Sequence, residues 1–300
     1  MKVESRSDRL LHQAALSGDF QTIRRLLDSG KVFVDCADED GTTALMLAAS
    51  NGHLDCVKEL IEEGAELLAQ RQTGTHALFF AAQGGHWDVT KYLIDRGAPI
   101  NLASNDGATP LFVAAQCGHL PIAELLVKNG AAVDLLMEDG ASTLFVAAQN
   151  GHLPLVRFLI SKNVDINRRR NDGASPLWIA SQTGASNVVH ELLKKGAEVD
   201  AARLDGATPL FKASHKGHYA VCDELLQKHP HLGVLKNGES PLHAAALFGH
   251  LSIVKLLIQK GAYPMLKNKA GETPLDLAKQ MGYDHIADYL VKFKSTETEV

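Results

Sequence analysis

Long hydrophobic runs are missing from this chain of 300 residues. No apolar stretch approaches the ~20 residues that a membrane-spanning helix needs. Met1 to Asp8 is polar and lacks the apolar core of a signal peptide. Cysteine is scarce: Cys36, Cys56, Cys117 and Cys222 show no C-x-x-C spacing. Three of them fall in helical segments of different repeating units and Cys36 in a loop. Disulfides among them would have to span units, so they read as free thiols of a reducing compartment. The expected location is the cytoplasm, with the nucleus left open. Catalytic signatures are also missing. No G-x-x-x-x-G-K-[ST], G-x-G-x-x-G dinucleotide unit, H-E-x-x-H or G-x-S-x-G occurs. The chain reads as a non-enzyme without a cofactor.

What is present is a period. Gly41, Gly74, Gly107, Gly140, Gly173, Gly206, Gly238 and Gly271 follow one another at 33 residues, with a single step of 32. A second series, Gly18, Gly52, Gly85, Gly118, Gly151, Gly184, Gly217, Gly249 and Gly282, marks a turn between paired helices and counts nine units. A third, Gly30, Gly64, Gly97, Gly130, Gly196 and Gly261, ends the second helix, with Asn163 standing in once. Within a unit Asp106-Gly107 makes a tight turn, Thr109 caps the first helix and Pro110 opens it. Leu111, Ala114 and Ala115 form a buried face. Leu120, Ile122, Leu125 and Leu126 are expected to face the core from the second helix, as are Leu54, Val57, Leu60, Ile61 and Leu251, Val254, Leu257, Ile258.

This pattern resembles the ankyrin-repeat family, a β-turn plus two antiparallel helices per unit. The resemblance covers essentially the whole chain. It implies an all-α repeat solenoid of nine stacked units, at about 5–38, 39–71, 72–104, 105–137, 138–170, 171–203, 204–235, 236–268 and 269–294, with 295–300 a disordered tail. It also implies a scaffold or adaptor that binds a protein segment in a concave groove of turn tips and first-helix faces. Arg6, Asp8 and Arg9 at one end, and Asp288, Lys292 and Lys294 at the other, are expected to wet the outer faces. The first unit carries one extra residue around Lys31 to Phe33. The seventh lacks one within Lys228 to Leu235, where Pro230 replaces the usual Gly-Ala and a changed stacking angle is expected.

Departures from the family pattern nominate residues. The family prefers His after Thr-Pro-Leu. Here it stands at His12 and His243, while Met46, Phe79, Phe112, Phe145, Trp178 and Phe211 occupy the place between them. That row is either a buried spine or an exposed strip for a ligand. Gln83, Gln116, Gln149 and Gln182, continued by His215, sit near the end of the first helix, at a position that faces the groove in the family. Their amides either bond one another or meet a partner's backbone. The expected binding set is these five residues with the tips Asn105, Asp106, Asn171 and Asp172.

Six histidines follow the helix-turn glycine: His53, His86, His119, His152, His218 and His250. Each lies one repeat, ~10 Å, from the next, too far to converge on a metal. Their expected role is structural, and no metal is expected.

Charge is uneven. Residues 1–150 hold 11 Lys+Arg against 20 Asp+Glu, and residues 151–300 hold 19 against 15. Arg168, Arg169, Arg170, Lys194, Lys195, Arg203, Lys212 and Lys216 make the later half locally basic. They read first as solvated surface, then as a seat for an acidic protein segment. Nucleic acid is the alternative partner. Asn167 lies in a Leu…Asp-Ile-Asn run that resembles an asparaginyl hydroxylation site. Thr298 and Val300 look like a PDZ-domain ligand, provided Val300 is the natural end. The expected state is a monomer.

Overall fold

The computed structural model describes residues 5–236 and 238–293. They fall in two compact units, Met1–Glu138 and Asp139–Val300. The first holds α1 (Arg6–Ser17), α2 (Phe20–Asp28), α3 (Ala44–Ser50), α4 (Leu54–Glu62), α5 (Ala77–Gly84), α6 (Trp87–Asp95), α7 (Pro110–Cys117) and α8 (Leu120–Lys128). The second holds α9 (Thr143–Gln149), α10 (Leu153–Ser161), α11 (Pro176–Thr183), α12 (Ser186–Lys194), α13 (Pro209–Lys216), α14 (Tyr219–Leu226), α15 (Pro241–Leu247), α16 (Leu251–Gln259), α17 (Pro274–Gln280) and α18 (Asp284–Val291). Odd-numbered helices pack on one another in series within each unit, and even-numbered helices form a second layer behind them. An isolated antiparallel bridge pairs Ala37 with Thr43. Thr298 and Val300, expected as a PDZ-domain ligand, and the whole of 295–300 lie outside the described residues.

Local chemistry starts each first helix. Thr109 Oγ1 accepts the Phe112 N–H at 3.2 Å, and Pro110 takes the opening position where its missing N–H costs nothing. Ser142, Ser175 and Thr208 cap α9, α11 and α13 in the same way. The layer behind leans on small residues. Ala48, Ala49, Ala81, Ala82, Ala114 and Ala115 are fully buried, which lets helix backbones approach closely. In α11 and α13 the second alanine is replaced by Ser181 and Ser214, also fully buried. Ser181 satisfies its hydroxyl by donating to the Leu177 carbonyl at 2.7 Å.

The second helices bury a narrower stripe than their apolar pattern suggests. Ile122 and Leu126 are buried, as are Val57, Leu60, Val254 and Leu257. Leu120, Leu125, Leu54, Ile61, Leu251 and Ile258 are only half-buried. Smaller or differently placed neighbours (Cys56, Ala123, Ile253 and Leu256) take the inner positions instead. The expectation favoured the large residues, whereas the axis of each helix aims a stripe displaced by about one residue.

At the ends Arg6, Arg9, Asp288 and Lys292 are exposed and Asp8 is half-buried. Asn163 adopts φ 60°, the left-handed value that glycine takes in other repeats, and in the seventh repeat His229 does so at φ 52°. There α14 is eight residues long where α10, α12 and α16 have nine.

Candidate functional site

The turn tips are joined by backbone. In the first unit Gln72 N–H donates to the Asp40 carbonyl, Asn105 to Thr73 and Glu138 to Asp106, at 2.8 to 2.9 Å. In the second, Asn171 donates to Asp139 and Leu204 to Asp172, at 2.9 to 3.0 Å. Each tip is thereby indexed to its neighbour. Two tip glycines show why no side chain is tolerated. Gly74 has φ 78°, and a Cβ there would lie 2.6 Å from Asn105 Oδ1. Gly107 has φ 89°, and its Cβ would lie 3.0 Å from the Met137 Cα.

In the first unit two tips and a first helix enclose a groove of about 610 Å³, lined among others by Arg71, Phe79, Phe80, Gln83, Asn105 and Asp106. Three of the expected site residues, Gln83, Asn105 and Asp106, meet there. Gln83 is exposed and its amide makes no hydrogen bond among the described residues. Asn105 is less free, since its Nδ2 donates to the Gln72 carbonyl at 2.7 Å. Asp106 accepts from Ser104 Oγ. Arg71 bonds Asp40 at 3.1 Å and lies over the Phe80 ring. Gln116 is exposed at the end of α7 and does not line this groove.

The second unit closes the equivalent positions. Phe145 and Trp178 are 2% exposed. Each is covered by an arginine from the following turn: Arg170 lies 5.4 Å from the Phe145 ring centre and Arg203 4.9 Å from the Trp178 ring. The two guanidinium groups alternate with carboxylates. Arg170 reaches Asp139 at 3.5 Å and Asp172 at 3.4 Å, while Arg203 reaches Asp172 at 3.5 Å and Asp205 at 4.0 Å. Arg170 and Arg203 are therefore not the solvated charges expected; they are half-buried lids. Asp172, expected to meet a partner, is committed to this chain. Trp178 completes its own bonding by donating Nε1–H to the Ala207 carbonyl at 2.9 Å.

The aromatic row is thus a spine. Met46, Phe79, Phe112, Phe145 and Trp178 are buried, and only Phe211 is half-buried. The glutamine row faces outward. Gln149 is exposed and Gln182 half-buried, and neither amide bonds another described residue. Amide-to-amide stacking is not what holds Gln83, Gln149 and Gln182. His215 continues the row in α13, edge-on to Phe248 at 4.1 Å. Burial first, then the charges of Lys212 and Lys216, hold its pKa below the ordinary histidine value. Lys212 is likewise lowered, by burial first and then by Lys216 and Arg203. Asn171 is exposed at its tip. Gln149 and Gln182 stand near the ends of α9 and α11, Asn171 and Asp172 at a tip, and His215 in α13.

Five of the six helix-turn histidines share one bond. The Nε2–H of His53, His86, His119, His218 and His250 donates to the carbonyl of Leu16, Ser50, Gln83, Gln182 and His215, at 2.9 to 3.1 Å. Each ring lies over the preceding turn glycine. A Cβ on Gly52 would come within 2.4 Å of His86 Nδ1. Tyr283 covers Gly249 instead, while Ala185 leaves Gly151 open. No group of three or more potential metal ligands occurs among the described residues.

Asn167 is half-buried and structural in its contacts. Its Oδ1 accepts the Glu198 N–H at 3.0 Å, and its own N–H donates to Asp165 at 2.9 Å. Asn101 makes the matching bond to Ala132 N–H at 2.9 Å. Sequence reasoning missed the roles of Arg71, Arg170 and Arg203. Their shared place three residues before the tip glycine was the available signal.

A family model described as ankyrin repeats in three copies matches residues 2–71, 66–139, 114–203, 144–234 and 210–299. Ankyrin repeat domain-containing protein 29 of Homo sapiens is 52% identical over 58 residues, 19% of this chain and 19% of that protein. The Danio rerio protein of that name is 51% identical over 59 residues, 20% of each. Ankyrin repeat domain-containing protein 49 of Homo sapiens is 46% identical over 68 residues, 23% of this chain and 28% of that protein. The matches thus span about a fifth to under a third of the length of these relatives.

Proposed function

The chain belongs to the ankyrin-repeat family, and from that premise we propose that it is a non-catalytic scaffold or adaptor that holds an extended segment of another protein. The family's repeats serve protein–protein interaction, and the binding face is the groove of tips and first helices. The observation that carries the reading is the groove of the first unit, where the unbonded amide of Gln83 stands beside Phe80 and the tip of Asn105 and Asp106. An amide offers both a donor and an acceptor, which suits an extended peptide backbone. Aromatic carbon beside it supplies apolar contact area.

Nucleic-acid binding by the basic half has weaker support. Arg169, Arg170 and Arg203 are interleaved with Glu198, Asp139 and Asp172, which breaks the continuous run of positive charge that a phosphate backbone follows. Cytoplasmic residence as a monomer fits the free thiols. Burial raises the Cys56 pKa to about 11 and that of Cys222 to about 12, which keeps them as unreactive thiols. Hydroxylation of Asn167 is a further proposal, and mass spectrometry finding Asn167 wholly unmodified in cell-derived protein would count against it.

The test of the main reading is proximity labelling in cells, comparing the wild type with Gln83→Glu. Loss of a defined set of neighbours, with helicity and melting unchanged, supports the groove. An unchanged set removes it.

A further inference from the structure

The seventh repeat is one residue short, and the bonding register locates the gap. Asn167 takes the Glu198 N–H, and Asp200 takes the His231 N–H at 3.1 Å, so Glu198 and His231 are counterparts. The following tips are counterparts too: Gly206 N–H donates to Arg203 and Gly238 N–H to Leu235, each at 2.9 Å. Glu198 to Arg203 is five steps along the chain and His231 to Leu235 is four. The missing residue therefore falls in 232–234, behind the tips.

A hollow of about 560 Å³ lies at this place. Its walls include Arg169, Asp200, Arg203, Leu204, His231 and Lys236. Arg169 and Arg203 are held from behind by Glu198 and Asp172, so their guanidinium groups are fixed rather than swinging. Asp200, the one carboxylate in the wall, directs both oxygens at the His231 N–H. The Lys236 ammonium has no partner among the described residues, and Lys269 is drawn to the rim by donating Nζ–H to the Lys236 carbonyl at 3.0 Å. Leu204 stands 80% exposed on the wall. Leucine at a tip, with nothing over it, marks a place for an apolar contact beside the charges.

We propose that this hollow is a second docking site, distinct from the groove, which takes an acidic protein segment whose carboxylate enters between Arg169, Arg203 and Lys236 while a neighbouring apolar side chain rests on Leu204. Fixed guanidinium groups match carboxylates in paired geometry, and an unpaired ammonium gains most from an incoming anion. The size suits one or two side chains of a peptide rather than a folded surface.

The experiment uses the full chain and a fluorescein-labelled peptide of alternating glutamate and leucine, read by fluorescence anisotropy at constant ionic strength. Saturable binding is expected, weakened about tenfold or more by Lys236→Glu, because reversing a charge beside a bound carboxylate both removes an attraction and adds a repulsion. Inserting one alanine between Gly233 and Val234 restores the 33-residue spacing and is expected to weaken binding as much. Lys260→Glu, at the exposed end of α16, changes net charge equally and is expected to stay within about twofold. Absence of saturable binding, an equal loss in Lys260→Glu, or a Lys236→Glu protein that binds as the wild type overturns the proposal. So does tighter binding of oligouridylate than of the peptide. Gln83→Glu separates this site from the groove, since it leaves peptide binding here unchanged.

Discussion

The residue three places before the tip glycine separates the groove of the first unit from the middle of the second. After Phe145 and Trp178 it is Arg170 and Arg203, and each lies across the ring of the repeat before it. Leu235 and Asn268 hold that place later in the second unit, and Arg71 of the first lies over Phe80. In the first unit the place that follows Phe79 is Ser104, which is too short to cross a ring and instead keeps its hydroxyl within hydrogen-bond reach of Asp106 and the Ala108 carbonyl. The open groove of about 610 Å³ lies there. Charge follows the same division. Met1–Glu138 holds 11 Lys+Arg against 19 Asp+Glu, and Asp139–Val300 holds 19 against 16. One scaffold thus yields an open, acidic unit and a lidded, cation-rich one by changing side chains at a fixed backbone position. The backbone ladder of the tips is what keeps that position fixed.

The largest effect expected from this contrast is on stability. Phe145→Ala removes a ring that is 2% exposed and leaves Arg170 without its platform. A loss of ~3–5 kcal/mol in urea unfolding is expected. Phe80→Ala, at the half-buried wall of the groove, is expected to cost under ~1.5 kcal/mol, because the residue already shares its surface with water. Equal costs would erase the distinction between lid and groove.

Next comes exchange of the lid. Ser104→Arg places a guanidinium where Arg170 and Arg203 stand in the second unit, with Asp106 two residues on to receive it. Closure over Phe79 is expected to reduce capture of the groove partner about tenfold, ~1.4 kcal/mol, and to leave unfolding within ~1 kcal/mol. A melting temperature that falls with capture would mean that the groove was lost by unfolding rather than by covering.

The sequence made parts of this contrast legible and hid others, for physical reasons. Periodic glycines and Thr-Pro starts are local signals, so helix positions and the helix-turn histidines followed directly. Outward placement of Gln83 and Gln149 follows from helix geometry. Whether Phe145 was core or ligand strip did not follow, because the answer depends on Arg170, 25 residues further on, folding back across it. The same holds for Asp172. Its tip position suggested a partner, yet two arginines claim its carboxylate. The short seventh repeat was visible as an interrupted period, but the hollow required knowing which cations are tethered and which is not.

A smaller effect should distinguish the glutamines. Gln83→Glu adds a charge to a groove whose lining holds one cation, Arg71, whereas Gln182→Glu adds one in the repeat before the α13 cations Lys212 and Lys216. Capture of the groove partner is expected to fall severalfold for the first and to change less than ~twofold for the second, where the cations screen the new charge. Titration of a purified partner segment against both variants measures the difference, and equal losses would show that the two faces act as one.

The smallest expected effect is on acid stability, and it turns on two buried histidines. His243 has both nitrogens satisfied: Nδ1 accepts from Ser240 Oγ at 2.6 Å and Nε2–H donates to the Glu272 carbonyl at 3.1 Å. His76, in the first unit, occupies the helix-capping place held by Thr109 one repeat later. Its Nε2–H donates to the Leu102 carbonyl at 3.1 Å, and its buried Nδ1 has no partner. Burial is the main cause that lowers both pKa values below the ordinary 6.5. The unfolded chain therefore binds these protons more readily than the folded one. The stability they permit is fully present above pH 6.5 and declines as pH falls below it, toward the lowered native values. For one such histidine the loss between pH 7 and pH 6 is at most ~0.7 kcal/mol. His76→Thr removes the titrating group and restores a capping hydroxyl that α5 lacks. Urea unfolding of this variant is expected to show a shallower decline from pH 7 to pH 6 than the wild type, with His243 and His215, whose pKa values are also lowered, contributing to what remains. A decline as steep as the wild type's would mean that His76 binds protons equally in both states across that range and plays no part in acid sensitivity.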